Sequence, residues 1–197
     1  MKIIKPSVEL IDDVNAHDIY CKIERCGRVC YQSESKGKPE EFIRMLIKRG
    51  HESVLEHVSL TFHIICDRAI MSELTRHRLA SFSVESTRYV DHQEIKIIQL
   101  TQIIAGKVGG IEWLQCMETV ADAYDVLRMM SVPPEDARAV LPLCLKSELY
   151  MTANLREWRH ILKLRTSKHA HPQMKFVARQ ILDIFRDKLP VIVEDIK

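Results

Sequence analysis

The chain has 197 residues, 46% hydrophobic and 28% charged, enough to bury a core as one domain spanning 1–197. A net charge of +2 supplies no broad basic surface for nucleic acid or an anionic membrane, and no apolar run approaches the roughly 18 residues needed to cross a bilayer. The opening MKIIKPSVELIDD meets Pro6 and then acids before an apolar signal region develops, and the six cysteines form no C-x-x-C pair, so the expectation is a cytoplasmic protein with reduced thiols.

Asp12 to Tyr31 carries apolar residues at mixed helical spacing, and Ser33 to Pro39 breaks the pattern. A helix is predicted from Pro39 to Arg49, with proline near its start and Gly50 at C′. Val58, Leu60, Phe62, Ile64 and Cys66 then alternate with Ser59, Thr61, His63, Ile65 and Asp67, the clearest strand signal in the chain. Asp67 suits the N-cap of a helix from Arg68 to about Thr75, which leads into Arg76-His77-Arg78. On a continuing helix the two arginines would point about 200° apart. For both to address one ligand the helix must end there, and in an extended stretch they share a side with His77 on the other.

Val90 to Val108 holds β-branched residues suited to a second strand, followed by Gly109 and Gly110. Ile111 to Met130 reads as an amphipathic helix. Pro133-Pro134-Glu135-Asp136 opens another, predicted over Ala137 to Met151 with a bend at Pro142. Thr152 or Asn154 starts a helix to about Ser167, and Pro172 lies in the first turn of a final helix ending before Pro190. The fold class is α+β: a small, mainly antiparallel sheet flanked by helices, with a helix-rich C-terminal half.

Between Arg76 and Arg88 the sequence RHRLASFSVESTR packs four basic side chains, four hydroxyls and one carboxylate into thirteen positions. The guanidinium forks of Arg76, Arg78 and Arg88 suit phosphate or carboxylate, and Ser81, Ser83, Ser86 and Thr87 add hydroxyls and turn-prone backbone that can complete an anion nest. With net charge near zero, this density marks a site for an anionic ligand. The spacing R-H-R-x7-S, ending on Ser86, resembles the signature of the flavin-dependent thymidylate synthases. So does its context, with Gly50-His51-Glu52-Ser53 and Glu56-His57 upstream and Asn154-Leu155-Arg156, His160 and Leu164-Arg165 downstream. The similarity runs from about Arg25 to about Arg179.

That resemblance implies reductive methylation of dUMP to dTMP, with 5,10-methylenetetrahydrofolate as one-carbon donor and NADPH-reduced FAD as hydride source. It implies a homotetramer with active sites between subunits and no metal. Its dUMP residues map to Glu73, Arg76, Glu85, Ser86, Thr87, Arg88, Arg138 and Arg165, with Arg165 catalytic through stabilisation of charge in the uracil ring. Its FAD residues map to His51, Ser53, Arg76, His77, Arg78, Asn154, Arg156, His160 and His169. FAD has no G-x-G-x-x-G cradle here, so the Rossmann mode is unsupported. Glu85 is one position away from the family's common Asn-Glu pattern, and the stretch from Val90 to Ile111 is short for the family.

Read without the family, Arg165 belongs to a helix's last turn, where it meets terminal carbonyls. Cys144, in Pro142-Leu143-Cys144, lacks the histidine that follows the nucleophile of flavin-independent synthases and reads as a core thiol. Three rivals have less in their favour. A metal hydrolase would need better spacing than His51, His57 and His63 offer, six residues apart. A nucleic-acid module lacks a basic face. A family-fold nucleotide- or flavin-binding protein without synthase activity would not need the intact Arg76-His77-Arg78, Ser86, Arg88 and Arg165.

Overall fold

Two strands too short to carry a periodic signal open the chain in the computed structural model, β1 (Lys2–Ile4) and β2 (Ser7–Leu10). The structure describes residues 1–30, 32–35, 37–90, 94–99 and 109–197. Asn15 caps α1 (Ala16–Val29) by accepting from the His17 and Asp18 amides, and α2 (Pro39–Lys48) begins at its proline. Gly50, at φ +74°, turns the chain out of α2 in the left-handed conformation that glycine tolerates. A 3-10 turn over Glu52–His57 leads to β3 (Ser59–Asp67), whose alternating burial follows the predicted pattern. Asp67 caps α3 (Arg68–Leu74), its carboxylate accepting from the Ile70 amide at 2.7 Å.

β4 (Ala80–Val84) and β5 (Lys96–Ile98) follow. Of the predicted strand in Val90–Val108, the rest lies largely outside the described residues. α4 (Gly110–Met129) is helical as expected but not cleanly two-faced, since Ile111, Val126 and Met129 are all exposed. The helix predicted over Ala137–Met151 is not formed. α5 (Pro134–Ala137) stops after one turn, a 3-10 turn covers Arg138–Val140, and β6 runs over Lys146–Asn154. Pro142 lacks the amide to continue a helix, while Ser147, Leu149, Met151 and Ala153 are buried at every second position. The helix-forming residues of this stretch are overridden by sheet pairing. α6 (Leu155–Arg165), α7 (Pro172–Lys188) and α8 (Pro190–Val193) complete the chain.

β1 pairs in parallel with β5, Ile3 opposite Ile97, and a four-stranded sheet has the order β2-β3-β6-β4. The strands are mainly antiparallel, and the fold is the predicted α+β class. Backbone contacts divide the chain into two units interleaved in sequence: Met1–Ser7, Ile64–Arg76 and Ser83–Leu149 form the first, and Val8–His63, His77–Phe82 and Tyr150–Lys197 the second.

The first unit gathers Ile97, Met117, Tyr124, Ala137 and Leu145 into its core. The second is larger. Phe62 meets Trp158 edge-on at 4.9 Å and Phe185 at 5.7 Å, and the Trp158 indole donates to the Leu60 carbonyl at 3.0 Å, so its one polar group is satisfied in the core. Gly27 lets α1 approach α2 closely, because a Cβ there would lie 2.7 Å from the Phe42 ring. Arg159 is a fully buried cation. Its guanidinium binds both carboxylate oxygens of Asp195 at 2.7 and 2.9 Å, Glu52 at 3.0 Å and the Ile192 carbonyl, tying the C-terminal segment to α6.

Candidate active site

In the first unit, α3 ends at Leu74 and the chain leaves through Thr75 and Arg76. The next residues alternate as expected, with His77 buried between exposed Arg76 and Arg78. Glu73 is half-buried on α3, and its carbonyl accepts from the Arg76 amide. Past β4, the Glu85 amide donates to the Glu148 carbonyl at 2.8 Å, and the Ser86 hydroxyl accepts from the Arg88 amide at 3.3 Å. This is the hydroxyl-stabilised turn that serine favours.

Thr87 is buried at the bottom of this turn, and its hydroxyl accepts from Arg138 Nη1 at 3.4 Å. Arg138 Nε donates to the Glu135 carbonyl at 3.0 Å, while the Glu135 carboxylate holds exposed Arg88 at 2.9 Å. The arrangement sets two guanidinium groups and two hydroxyls around one turn, a donor set for an oxyanion. Lys146 was missed because it lies in the stretch read as helix. Its ammonium sits between Glu85 at 2.9 Å and Glu148 at 2.5 Å, only 14% exposed. Burial works against this cation, but hydrogen bonds to Glu148 and Glu85 outweigh it and leave its pKa above the ordinary lysine value. Strand alternation along β6, which puts Lys146 on the same face as Glu148 and opposite buried Ser147 and Leu149, is the signal that would have found it.

In the second unit, Asn154 caps α6 by accepting from the Glu157 amide at 2.9 Å. A cavity of about 720 Å³ is lined by Asn154, Arg156, Arg159, His160, Lys163, Leu79 and the carboxylates Glu52, Glu56 and Glu157. Arg156 reaches Glu56 at 2.5 Å. His51 and Ser53 are exposed at the start of the 3-10 turn, and Arg78 and His169 are exposed; none of these four lines the cavity.

The structure also joins residues from the two ends of α6 to His77. Arg165 Nε donates to His77 Nε2 at 3.1 Å, so Arg165 does more than meet its helix's last carbonyls. His77 Nδ1 lies 3.4 Å from Glu157 Oε1, and the His160 ring packs edge-on at 5.9 Å. Burial, with the Arg165 cation and His160 adding to it, pushes the His77 pKa down to about 4. Burial likewise raises Glu157, against the pull of His160. Sequence reasoning missed Glu157; an acid three residues after Asn154 reads as part of a helix start and no more. Ligand atoms of His77, Glu157 and His160 lie within 4.8 Å of one another, a spacing that a cation could use. The Arg165 guanidinium donating into the same imidazole puts a fixed positive charge where a metal would need electron pairs.

Other groups weighed from sequence have structural surroundings. Cys144 is buried, its sulfur 3.3 Å from that of Met117, and burial pushes its thiol up to about 11, away from the reactive thiolate. His63 stacks on Tyr150 at 4.7 Å.

The family model described as thymidylate synthase complementing protein matches residues 9–191. The chain belongs to that family. Among curated relatives, it is 33% identical to a flavin-dependent thymidylate synthase of Mycobacteroides abscessus, over 88% of this chain and 78% of that one. It is 33% identical to the flavin-dependent thymidylate synthase of Geobacter sulfurreducens, over 86% and 78%. Among solved structures, a UMP/dUMP methylase from Streptomyces cacaoi bound with 5-Br dUMP aligns at a TM-score of 0.83 with 28% identity, covering 98% of this chain and 96% of that one. These thymidylate synthase relatives match the chain on both sides of the Arg76-His77-Arg78 segment.

Proposed function

We propose that this protein is a flavin-dependent thymidylate synthase that methylates dUMP to dTMP as one domain. The observation that carries this reading is the family match over residues 9–191, which includes an intact R-H-R-x7-S segment. The relatives' names support flavin dependence, and the Streptomyces cacaoi methylase with its bound 5-Br dUMP supports the substrate. Interleaving of the two units along the chain supports a single domain.

Ser86, Thr87, Arg88 and Arg138 hold the nucleotide phosphate. Arg88 exchanges Glu135 for phosphate oxygens, and Lys146 fixes Glu85 as the nucleotide-facing carboxylate. Glu73 and Arg76 complete the nucleotide set. Arg165 faces the uracil carbonyl edge, where a guanidinium stabilises negative charge as C5 becomes nucleophilic. The second-unit cavity, with donors from Asn154, Arg156, His160 and Lys163, fits an anionic dinucleotide such as FAD. Arg156 holds Glu56 and Arg159 holds Glu52, two of the three carboxylates on its wall. Bound and reduced by NADPH, FAD supplies the hydride, and methylenetetrahydrofolate supplies the carbon. His51, Ser53, Arg78 and His169, exposed in one copy, contact flavin in a homotetramer. The exposed side chains of Leu79, Ile111, Met129 and Met130 are the kind of apolar surface that such an assembly covers. Among the described residues no helix is long and apolar enough to cross a membrane, in keeping with a cytoplasmic enzyme.

The test is conversion of dUMP by purified protein with methylenetetrahydrofolate and NADPH, with and without added FAD. Flavin-dependent dTMP is expected. Binding of flavin and dUMP without product would leave a ligand-binding protein and overturn the synthase reading.

A further inference from the structure

Glu157 and Arg165 stand at opposite ends of α6, eight residues and so about 12 Å of helix rise apart. The imidazole of His77 contacts both, Nε2 towards Arg165 and Nδ1 towards Glu157. An arginine guanidinium only donates hydrogen bonds and stays protonated throughout the working pH range. His77 Nε2, which receives Arg165 Nε–H, must therefore carry a lone pair. A neutral imidazole has one proton, so that proton is on Nδ1, the nitrogen 3.4 Å from Glu157 Oε1. The Nδ1 proton has a carboxyl oxygen beside it whether Glu157 is ionised or neutral, because such an oxygen can accept in either state. The surroundings resist rearrangement, since the His77 and Glu157 side chains are only 6% and 9% exposed and His160 packs against the ring.

We propose that Glu157 and His77 are a positioning pair for Arg165: Glu157 supports the Nδ1–H tautomer that the Arg165 bond requires, and His77 in turn holds the guanidinium through Nε. This rests on the reading of Arg165 as the group that stabilises charge on the uracil ring. A free arginine side chain has about 2 kcal/mol of rotamer entropy to lose on being fixed. The pair removes that freedom before substrate arrives. Glu157, on the wall of the second-unit cavity, acts on the uracil ring only through His77, and His77 acts on it through Arg165.

The test combines a tautomer measurement with kinetics on the full chain. Nitrogen-15 NMR of histidine-labelled wild type at neutral pH is expected to show His77 protonated on Nδ1 alone. Glu157→Gln, which keeps an acceptor oxygen, should retain that tautomer and a kcat within about three-fold of wild type. Glu157→Leu should weaken the tautomer preference, which the Arg165 bond then sets alone, and lower kcat about 10- to 100-fold, the scale seen when an outer partner that orients a functional group is removed. A smaller change in the KM for dUMP should accompany it. A wild-type His77 protonated on Nε2, or on both nitrogens, overturns the proposal without any variant having to fold. So does Glu157→Leu with wild-type kcat. Should the wild type make no dTMP but show the Nδ1–H tautomer, the synthase reading fails while the hydrogen-bond order through His77 stands.

Discussion

The cluster around Ser86 and the one around His77 use the same kinds of residue in opposite ways. In the first, arginines are exposed and held loosely: Arg88 and Glu135 are each about half exposed, and an incoming anion can displace that contact. In the second, a buried imidazole stands between a carboxyl and a guanidinium, and nothing can be exchanged without reversing a tautomer. The difference teaches that a charge set for capture is left wet and replaceable, while one set to act on a ring is fixed from behind.

The largest expected effect lies on the buried side. Arg159→Ala should lower stability by about 3 kcal/mol, because it strips Asp195 and Glu52 of the cation that holds them. Denaturant unfolding monitored by tryptophan fluorescence measures it, and a loss below about 1 kcal/mol would make this buried pair no firmer than a surface one. Next comes Arg88→Glu. Reversing the charge beside Glu135 should weaken dUMP binding by at least about 10-fold, the loss of a charge-assisted hydrogen bond, with the melting temperature almost unchanged. Calorimetric titration in rising salt would sharpen the contrast, since affinity carried by exposed arginines falls with ionic strength.

Acid provides a smaller, directional test. Arg159 first, and then Lys163, hold the Asp195 carboxyl down at about 2, against about 3.9 in an unfolded chain. Because the folded value is the lower, the stabilisation is complete above about pH 4 and is lost as pH falls towards 2. His77 has the same sign, its folded value of about 4 lying below the usual 6.5, so its contribution is full above about 6.5 and lost on the way down to about 4. Asp195→Asn should therefore cost about 1 kcal/mol at neutral pH, reduced by its exposure to water, and converge with wild type near pH 2. Equal stability at every pH would remove Asp195 from the account. The smallest effect belongs to Glu135→Gln, which frees Arg88 from a charged partner and should tighten dUMP binding by no more than a few-fold. A clear weakening in the same titration would show that Glu135 aligns Arg88 for phosphate.

Much of this arrangement was legible in the residues themselves. Alternation from Val58 to Cys66 marked β3, Asp67 announced its cap, and the need for Arg76 and Arg78 to share a side located the end of α3. What could not be read is instructive. β6 is written in residues that favour helices, and only its pairing within the sheet makes it a strand, so Lys146 remained hidden with it. Glu157 looked like an ordinary first-turn acid because its partner is eighty residues earlier in the chain. The motif shows which side chains matter, while the groups that hold them come from tertiary contact, which short spacing does not encode.

The most direct measurement is dTMP formation at saturating FAD, NADPH and methylenetetrahydrofolate by wild type and by Arg165→Met, with dUMP binding measured alongside. The account predicts flavin-dependent turnover by wild type and a kcat about 10²- to 10³-fold lower in the variant, with dUMP still bound through the Ser86 cluster. Wild-type turnover by Arg165→Met, or dTMP formed without flavin, would contradict it.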